Sequence, residues 1–326
     1  MIVVSSPLRV ALAGGGSDLP AWREKHGSTI VSASISLRVY VMVNHRYDGK
    51  IRVAYMETEF VDSVDDVKHD IFREVLKSKG VPVGGVEIVT VADAPARSGL
   101  GSSGAFTVAL IQALNLLNGE FKSRRGVAEE AFKIEHYLGK KLGKHDQYIS
   151  AFGGVNILEI NHKNVVNICP VNLSHEWLND VQNNLFMFDL KNYRDAKDPL
   201  AQQDEALRNK KVSRNAMAEI AKLGVYVSNN IGIMAKGLGT IFDNHWGYKC
   251  LLAEQDPNVK EAYIFGIRHG AIGGKLIGAG LSGFMLFYVE PMRQEKFLGA
   301  MDKMDLVRVP FKFDFEGLKT ECISHN

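Results

Sequence analysis

A glycine- and serine-rich stretch, Pro95 to Gly104, lies between a β-branched segment, Val86 to Val91, and a segment from Ser102 to Leu117 that is apolar on nearly every side. A helix that is apolar all round is buried inside a protein. Glycines allow a backbone to approach a ligand closely, and the start of a helix carries about half a positive charge and several unpaired N–H groups. This stretch therefore predicts an anion-binding loop at the start of a buried helix, which suits the phosphates of a nucleotide.

The residues expected to line this loop are Pro95, Ser98, Gly99, Leu100, Gly101, Ser102, Ser103 and Gly104. Ser102 or Ser103 could bind phosphate or Mg²⁺ through its hydroxyl, and their chemistry does not choose between them. No Gly-Lys-Ser or Gly-Lys-Thr sequence is present, so this is not a Walker loop. A tight turn with a serine capping the helix is the alternative that the local sequence leaves open.

Two further glycine clusters have the same kind of ambiguity. Gly14-Gly15-Gly16-Ser17-Asp18 follows the first predicted strand. Its carboxylate could hold sugar hydroxyls, or Asp18 could simply form an Asx turn. The cluster from Gly278 to Gly283 joins two predicted strands. It is either a glycine hairpin or bulge, or a loop whose backbone closely approaches a bound substrate.

The rest of the chain interleaves strands and helices without regular βαβ alternation, which predicts an α+β fold. We expect two lobes, residues 1–182 and 183–326, with the ligand cleft between them. Predicted strands are Val3–Leu12, Thr29–Val43, Ile51–Tyr55, Val86–Val91, Val155–Ile160, Asn164–Ile168, Leu185–Leu190, Gly273–Ile277, Phe284–Val289 and Leu306–Phe313. Predicted helices are Asp70–Lys79, Ser102–Leu117, Ala128–Leu138 and one that begins at Pro291 and ends near Met301.

Two local signals add detail to this outline. Asp48-Gly49 indicates a hairpin turn between the second and third strands. The segment from Ala196 to His269 has helical periodicity, with expected breaks at Gly224, at Lys236-Gly237 and at Asp256-Pro257. Glycine and proline are the residues that most often end a helix.

The composition is that of an ordinary globular protein, with 46% hydrophobic and 23% charged residues among 326 and a net charge of +2. This balance gives no reason to expect binding to nucleic acid or to an acidic membrane. No segment approaches the roughly 18 apolar residues of a membrane span, and the N-terminus lacks the features of a signal peptide. Cys169, Cys250 and Cys322 are widely scattered, which predicts free thiols in a cytoplasmic protein.

Three separated elements resemble the signature motifs of the GHMP kinases, the family of galactokinase, homoserine kinase, mevalonate kinase and phosphomevalonate kinase. The elements are Pro7-Leu8-Arg9-Val10 through Asp18, Pro95 through Ser103 with its Gly-Leu-Gly-Ser-Ser core, and Lys275 through Phe284. They occur in the family order and together span nearly the whole chain. The resemblance implies a two-lobed kinase fold, ATP and Mg²⁺ as cofactors, and phosphoryl transfer to a hydroxyl of a small molecule.

The resemblance also implies roles for two acidic residues. Glu135 would bind Mg²⁺, and Asp146 would be the catalytic carboxylate. Ser103 is the hydroxyl that we place beside Glu135 in the expected metal site, from its chemistry and not from the resemblance. Gly139 and Gly143 interrupt the helix between the two acids, which permits Asp146 to lie on a separate turn that faces the same cleft. From the local sequence alone, a solvated Glu135 and a helix-capping Asp146 stay open as alternatives.

Within the family, the chain most resembles the kinases of D-glycero-D-manno-heptose 7-phosphate, in the segments PLRVALAGGGSDLP, SGLGSSGA, HDQYISAFGGVN and KLIGAGLSGF. This resemblance implies transfer to the anomeric hydroxyl, which gives the 1,7-bisphosphate. Ser282 and Lys191-Asn192-Tyr193, just before Arg194, depart from those kinases. Fucose, another free sugar or a small alcohol therefore stays an alternative acceptor, and a non-catalytic nucleotide or sugar sensor is the alternative class.

The residues expected to bind the acceptor are Arg9, Gly15, Gly16, Ser17, Asp18, Arg97, Arg194, Gly278, Ala279 and Gly280. Arginine suits phosphate because its planar fork donates two parallel hydrogen bonds. Arg194 is the leading candidate because the resemblance extends to it. The expected partner is a sugar or sugar phosphate, without nucleic acid or membrane, and a homodimer is left open.

Overall fold

The computed structural model describes residues 1–191, 199–278 and 283–322. Its strands are β1 (Ile2–Ala13), β2 (Ser28–His45), β3 (Ile51–Ala54), β4 (Thr58–Val61), β5 (Val86–Ala92), β6 (Val155–Ile160), β7 (Val166–Pro170), β8 (Leu185–Asp189), β9 (Gly273–Leu276), β10 (Phe284–Tyr288), β11 (Val307–Val309) and β12 (Lys319–Cys322). Its α-helices are α1 (Pro20–His26), α2 (Asp70–Lys79), α3 (Ser102–Leu117), α4 (Arg124–Tyr137), α5 (His145–Phe152), α6 (His175–Asn184), α7 (Pro199–Asn209), α8 (Lys211–Asn230), α9 (Leu238–Lys249), α10 (Pro257–Arg268) and α11 (Pro291–Met301). The mixture confirms the α+β prediction.

The larger sheet is built on the long antiparallel pair β1 and β2. The strand order is β12-β1-β2-β5-β3-β4, and β6 joins β2 to β7. In the described residues this makes eight strands. Helix α3 packs against β1 and β2, and Val108, Leu110 and Leu114 of α3 are fully buried in the core. The predicted burial of the apolar helix is confirmed, and the glycine loop before it contacts β1, because the backbone N–H of Arg9 donates to the carbonyl oxygen of Leu100 at 3.0 Å.

The smaller sheet has the order β11-β8-β10-β9. One hydrophobic core joins it to the larger sheet, because Leu8 and Val10 of β1 lie in the same buried cluster as Leu286 of β10 and Phe242 of α9. The chain then returns to the larger sheet, where Cys322 of β12 pairs with Ile2 of β1. The division at residues 182 and 183 stays a prediction.

The hairpin predicted at Asp48-Gly49 is wrong. Strand β5 lies between β2 and β3, antiparallel to β2 and parallel to β3. The second half of β2, Val39 to His45, already pairs with β5, so β3 cannot hydrogen-bond to that edge. A turn is nevertheless present, because the Asp48 carboxylate accepts hydrogen bonds from the Arg46 side chain and from the backbone N–H of Lys50.

The helix break predicted at Gly224 is also wrong, since α8 runs through this residue. A Cβ on Gly224 would lie 2.1 Å from the carbonyl oxygen of Thr29 and 3.0 Å from Cα of Gly14. Glycine is therefore required here because two backbones touch, and not because the helix ends. This contact fixes α8 against the first glycine cluster.

Several elements were not predicted from the sequence, namely β4, β12, α1, α5, α6 and the break between α7 and α8. The last predicted strand is shorter than expected, because β11 ends at Val309 and Pro310, which has no N–H, follows it. The breaks near Lys236-Gly237 and at Asp256-Pro257 are confirmed, with Asp256 capping α10.

Within residues 1–191, 199–278 and 283–322, none of the helices is both long and apolar enough to cross a membrane.

Candidate active site

The glycine loop ends at an uncapped helix terminus. Gly99 and Gly101 have φ angles of 80° and 79°, a left-handed conformation that other residues rarely adopt. Gly101 itself occupies the N-cap position of α3, and no side chain caps that end of the helix. The alternative with a serine as N-cap is thus wrong. The first N–H groups of α3 point out of the helix without a side-chain cap, as an anion-binding site requires.

The three glycine clusters meet around this loop. A Cβ on Gly278 would lie 2.4 Å from Cα of Gly99, and one on Gly283 would lie 2.2 Å from the carbonyl oxygen of Ser98. In the first cluster, Gly15 accepts a hydrogen bond at 3.2 Å from Nε2 of His245 on α9. Nδ1 of the same histidine lies 3.4 Å from Nζ of Lys275 on β9, the strand that leads to the third cluster. Tertiary packing therefore brings together loops that are almost two hundred residues apart in the chain, as the separation of Gly99 and Gly283 shows.

Asp146 lies in the first turn of α5, beside the start of α3. Its Oδ1 accepts a hydrogen bond from Arg9 Nε at 2.7 Å and lies 3.0 Å from Nδ1 of His145. A Cβ on Gly104 would lie 2.9 Å from the Cβ of Asp146, so only glycine permits the two helices to approach this closely. About a third of the Asp146 side chain is exposed, whereas Arg9 is buried.

The charges around Asp146 keep it ionised. Burial by itself would raise the pKa of Asp146, but the positive charge of Arg9 and the hydrogen bond from His145 outweigh it and hold the pKa well below its usual range. Arg9 Nη1 also donates to the carbonyl oxygen of Gly99 at 2.5 Å. One guanidinium thereby fixes the carboxylate and the glycine loop relative to each other.

Glu135 lies near the end of α4 and is 1% exposed. It accepts hydrogen bonds from the Ser103 hydroxyl and, at 2.6 Å, from Nε2 of Gln147. Lys140 Nζ lies 3.5 Å from Oε1 of Glu135 and 3.1 Å from Oγ of Ser103. Burial raises the pKa of Glu135, and the nearby Lys140 charge opposes this only in part. The solvated alternative for Glu135 is wrong.

The first glycine cluster contributes a buried carboxylate. Oδ2 of Asp18 accepts a hydrogen bond from the backbone N–H of His145 at 3.1 Å. A Cβ on Gly143 would lie 1.8 Å from the same oxygen. Ser17 donates to the carbonyl oxygen of Gly14 at 2.7 Å. Asp18 therefore fixes the turn that carries Asp146.

Of the predicted residues, those that the structure brings together are Arg9, Gly15, Asp18, Ser98, Gly99, Leu100, Gly101, Ser103, Gly104, Glu135, Asp146 and Gly278. Arg194, Ala279 and Gly280 lie outside the described residues. Pro95 and Arg97 are exposed at the outer part of the loop, and Arg97 has a φ of 65°. Ser102 and Gly16 are half-buried, and Ser17 is fully buried.

Sequence reasoning missed three groups at this site. His145 and Lys140 were not assigned, although His145 is the direct neighbour of Asp146. A third group consists of buried basic side chains from α9 and β9, namely His245, Lys249 and Lys275. The sequence did contain one signal for this third group. Lys249 lies on a mostly apolar helix, three residues after the buried Trp246, which indicates that Lys249 could also be buried.

Comparison with known proteins agrees with this geometry. Residues 67–154, which contain the glycine loop, α3, α4 and Asp146, match the family model for the GHMP kinases N terminal domain. The chain is 29% identical over 98% of both lengths to D-glycero-alpha-D-manno-heptose 7-phosphate kinase of Campylobacter jejuni. It is 24% identical to a mevalonate kinase of Thermococcus sibiricus, over 99% of both chains.

Among solved structures, the chain is similar to a D-glycero-D-manno-heptose 1-phosphate kinase of Bacteroides thetaiotaomicron. The TM-score is 0.81, with 24% identity and 100% of each chain covered. At this identity the likeness concerns the fold, which extends over both sheets.

Proposed function

This chain carries the N-terminal domain of the GHMP kinases and has the fold of those kinases throughout, and on this premise we propose that it is an ATP-dependent sugar kinase. The acceptor we propose is D-glycero-D-manno-heptose 7-phosphate, phosphorylated at its anomeric hydroxyl to give the 1,7-bisphosphate and ADP. The proposal rests on the pair of Arg9 and Asp146 beside the glycine loop. Arg9 holds the carboxylate against this loop, because its Nη1 donates to the carbonyl oxygen of Gly99 at 2.5 Å.

Asp146 is the proposed catalytic carboxylate. In the reaction, the bond from the acceptor oxygen to the γ-phosphorus forms as the bond to the oxygen of ADP breaks. The proton of the acceptor hydroxyl moves to Asp146 late in a loose transition state. The low pKa of Asp146 keeps it ionised and ready to accept a hydrogen bond from that hydroxyl at neutral pH. Arg9 orients the carboxylate, since Nε donates to Oδ1 and leaves Oδ2 for the acceptor.

The residues present also fit Mg²⁺ bound with the nucleotide. Among the described residues, no group of three or more His, Cys, Asp and Glu side chains could hold a metal ion alone. Ser103 and Glu135 instead offer one hydroxyl and one carboxylate, which is a typical protein share of a Mg²⁺ shell completed by phosphates and water. Burial raises the pKa of Glu135 and Lys140 opposes this only in part, so a bound cation would favour the ionised form of this carboxyl. When bound, Mg²⁺ would neutralise phosphate charge beside the start of α3.

The acceptor would lie between the first and third glycine clusters, within reach of Asp146. Gly15, Gly16, Ser17 and Gly278, together with Ala279 and Gly280 outside the described residues, are proposed to approach it with their backbones. Asp18 is a proposed ligand of its hydroxyls. Arg194, also outside the described residues, and Arg97 are the proposed ligands of its phosphate.

The decisive experiment is an ADP-release assay with ATP, Mg²⁺ and a panel of acceptors. The panel contains the heptose 7-phosphate, the free heptose, the heptose 1-phosphate, fucose and mevalonate. We expect turnover to be fastest with the heptose 7-phosphate. Faster turnover with a free sugar or mevalonate would overturn the acceptor but not the kinase. If the protein binds nucleotide but releases no ADP with any acceptor of the panel, it would instead be a non-catalytic sensor.

We further propose that the enzyme acts in the cytoplasm. A homodimer is a hypothesis that light scattering of the purified protein can test.

A further inference from the structure

Four buried basic side chains lie beside the junction of the glycine clusters. Arg9, His245, Lys249 and Lys275 are each between 3% and 6% exposed. Lys275 Nζ lies 3.4 Å from Nδ1 of His245. Arg9 and Lys249 donate to the carbonyl oxygens of Gly99 and Gly278, and these two glycines pack directly on each other. In the described part of the chain, the amines of the two lysines contact carbonyl oxygens and His245 and not a carboxylate. Fully buried lysines without such a partner are rare in proteins.

The two lysines differ in how many contacts the protein provides for their side-chain amines. Lys275 donates to the carbonyl oxygens of Ala11 and Leu12, lies 3.4 Å from Nδ1 of His245 and stands 4.7 Å above the ring of Phe242. These contacts surround its amine, so we interpret Lys275 as structural. Lys249 donates one hydrogen bond, to the carbonyl oxygen of Gly278. A lysine ammonium has three N–H groups, so Lys249 has spare donors among the described residues.

The contacts of Lys249 place it near the reaction centre. Gly278, which accepts its hydrogen bond, packs directly on Gly99. Gly99 in turn accepts from Arg9, which holds Asp146. The nucleotide side of the site has a different lysine, because Lys140 lies 3.1 Å from Ser103 Oγ. With respect to the described residues, the spare donors of Lys249 are therefore available beside Gly278, next to the place where the acceptor is proposed to bind.

We propose that Lys249 is a specificity-determining residue whose side-chain amine binds the phosphate ester of the acceptor, with Arg9 adding positive charge. This inference rests on the proposed function and adds to Arg194 and Arg97 a further group that selects a sugar phosphate over a free sugar. A dianionic phosphate would supply both the missing counter-charge and the acceptors for the spare donors.

The cluster also predicts a proton movement on binding. Burial first, and then repulsion by Arg9, lower the pKa of Lys249 to about 7, while the neighbouring Cys250 opposes this slightly. At pH 8 the free amine is mostly neutral, and a bound phosphate dianion favours the ammonium form. Lys275 and His245 face the same space from β9 and α9, and burial, followed by repulsion from Lys249 and the other basic side chains of the cluster, lowers the pKa of both.

Isothermal titration calorimetry of the full chain at pH 8, in two buffers with different ionisation enthalpies, tests both the binding of the phosphate by Lys249 and the uptake of a proton. The probes are heptose 7-phosphate, free heptose and a non-hydrolysable ATP analogue. For the wild type we expect the 7-phosphate to bind with uptake of close to one proton per site and the free heptose to bind without it. In Lys249→Met, the Kd for the 7-phosphate should rise about 10- to 100-fold, the effect of one charge-assisted hydrogen bond, with little change for free heptose.

Lys249→Arg and Lys222→Met serve as controls. The arginine variant keeps a permanent charge, so it should bind the 7-phosphate without proton uptake. Lys222 is an exposed lysine paired with Glu219 at 2.6 Å, and its variant should behave as wild type. The proton measurement on the wild type needs no variant, so the inference can be tested even if a Lys249 variant does not fold.

The outcomes separate the inference from the proposed function. A wild type that binds free heptose as tightly as the 7-phosphate would overturn both the acceptor and this role of Lys249. Normal turnover of the 7-phosphate, with no proton uptake or with unchanged Kd in Lys249→Met, would overturn the role of Lys249 alone. Weaker binding of the ATP analogue without a change for the sugar phosphate would assign Lys249 to the nucleotide and also overturn the inference.

Discussion

Arg9 and Asp146 are 137 residues apart in the sequence, yet Arg9 Nε donates to Asp146 Oδ1 at 2.7 Å. The pair joins β1 of the larger sheet to the first turn of α5, next to the glycine loop. Arg9 was expected to bind the acceptor directly. Its contacts to Asp146 and to the carbonyl oxygen of Gly99 indicate that it also orients the carboxylate, so a substitution at either residue should affect the rate of transfer.

We predict that Asp146→Asn abolishes turnover and leaves nucleotide binding largely intact. The amide keeps one oxygen for Arg9, but it cannot accept the proton of the acceptor hydroxyl. Loss of a general base usually lowers the rate by about 100-fold or more. ADP release gives kcat and calorimetry gives the nucleotide Kd. A variant that retains more than about a tenth of the wild-type kcat, itself a much smaller loss than expected, would show that Asp146 is not the catalytic carboxylate.

We predict that Glu135→Gln raises the Mg²⁺ concentration needed for half-maximal rate, and that Ser103→Ala does so to a smaller extent. Both residues offer oxygen ligands at the start of α3, and the carboxylate contributes the charge. The measurement is a Mg²⁺ titration of the rate at fixed ATP. Glu130→Gln is a matched control, because Glu130 is on the same helix and pairs with Lys122 at 2.7 Å. Superimposable titrations for wild type and Glu135→Gln would contradict the metal assignment.

Gly99→Ala should reduce kcat/KM for ATP by more than about tenfold, since a misplacement of about 1 Å can cost 100-fold. A Cβ at this position would lie 2.5 Å from the carbonyl oxygen of Ile277, which separates the second and third glycine clusters. Gly119→Ala is the control, because Gly119 has a φ of 72° but nothing within 4 Å of an added Cβ. It should lose about 1 kcal/mol of stability from backbone strain and keep its activity. Equal activity losses in both variants would assign the effect to backbone strain.

Arg194→Ala should lower kcat/KM for the heptose 7-phosphate by about 10- to 150-fold, the effect of a lost Arg–phosphate hydrogen bond of about 1.5–3 kcal/mol. The loss should be much smaller for the unphosphorylated sugar. Pairing of Arg194 with Asp195 or Asp198 on the surface is the alternative, and it would contribute under about 1 kcal/mol. Equal losses for the two acceptors would indicate that structural role.

The buried Lys249 predicts how stability depends on pH. Its pKa is lowered from 10.5 to about 7 in the folded protein, so the unfolded chain binds more protons between these two values. The free energy of unfolding should therefore rise with pH across that window. From pH 7.5 to 10, the free energy of unfolding of the wild type minus that of Lys249→Met should increase by on the order of 2–3 kcal/mol. Urea unfolding of the ligand-free proteins measures it, and a difference independent of pH would show that Lys249 stays charged when folded.

Local patterns were sufficient for most of the secondary structure. The apolar segment from Ser102 to Leu117 is the buried helix α3, and the predicted strands Val3–Leu12 and Thr29–Val43 correspond to β1 and β2. These predictions depend on residues within a few positions of one another, where periodicity and glycine placement act directly. The same local order identified three glycine clusters, whereas Glu135 and Asp146 were singled out by the resemblance to the GHMP kinases.

Contacts between distant residues were decided only by the tertiary structure. Gly224 has the sequence signal of a helix end, but it is needed because α8 touches Gly14 and Thr29. Most lysines lie on the surface, but the packing of α9 against β9 buries Lys249, whose amine donates to the carbonyl oxygen of Gly278. Burial and charge are properties of the space around a side chain, and that space is filled by residues from elsewhere in the chain. The sequence therefore determined which groups are available for phosphoryl transfer, and the fold decided which of them meet.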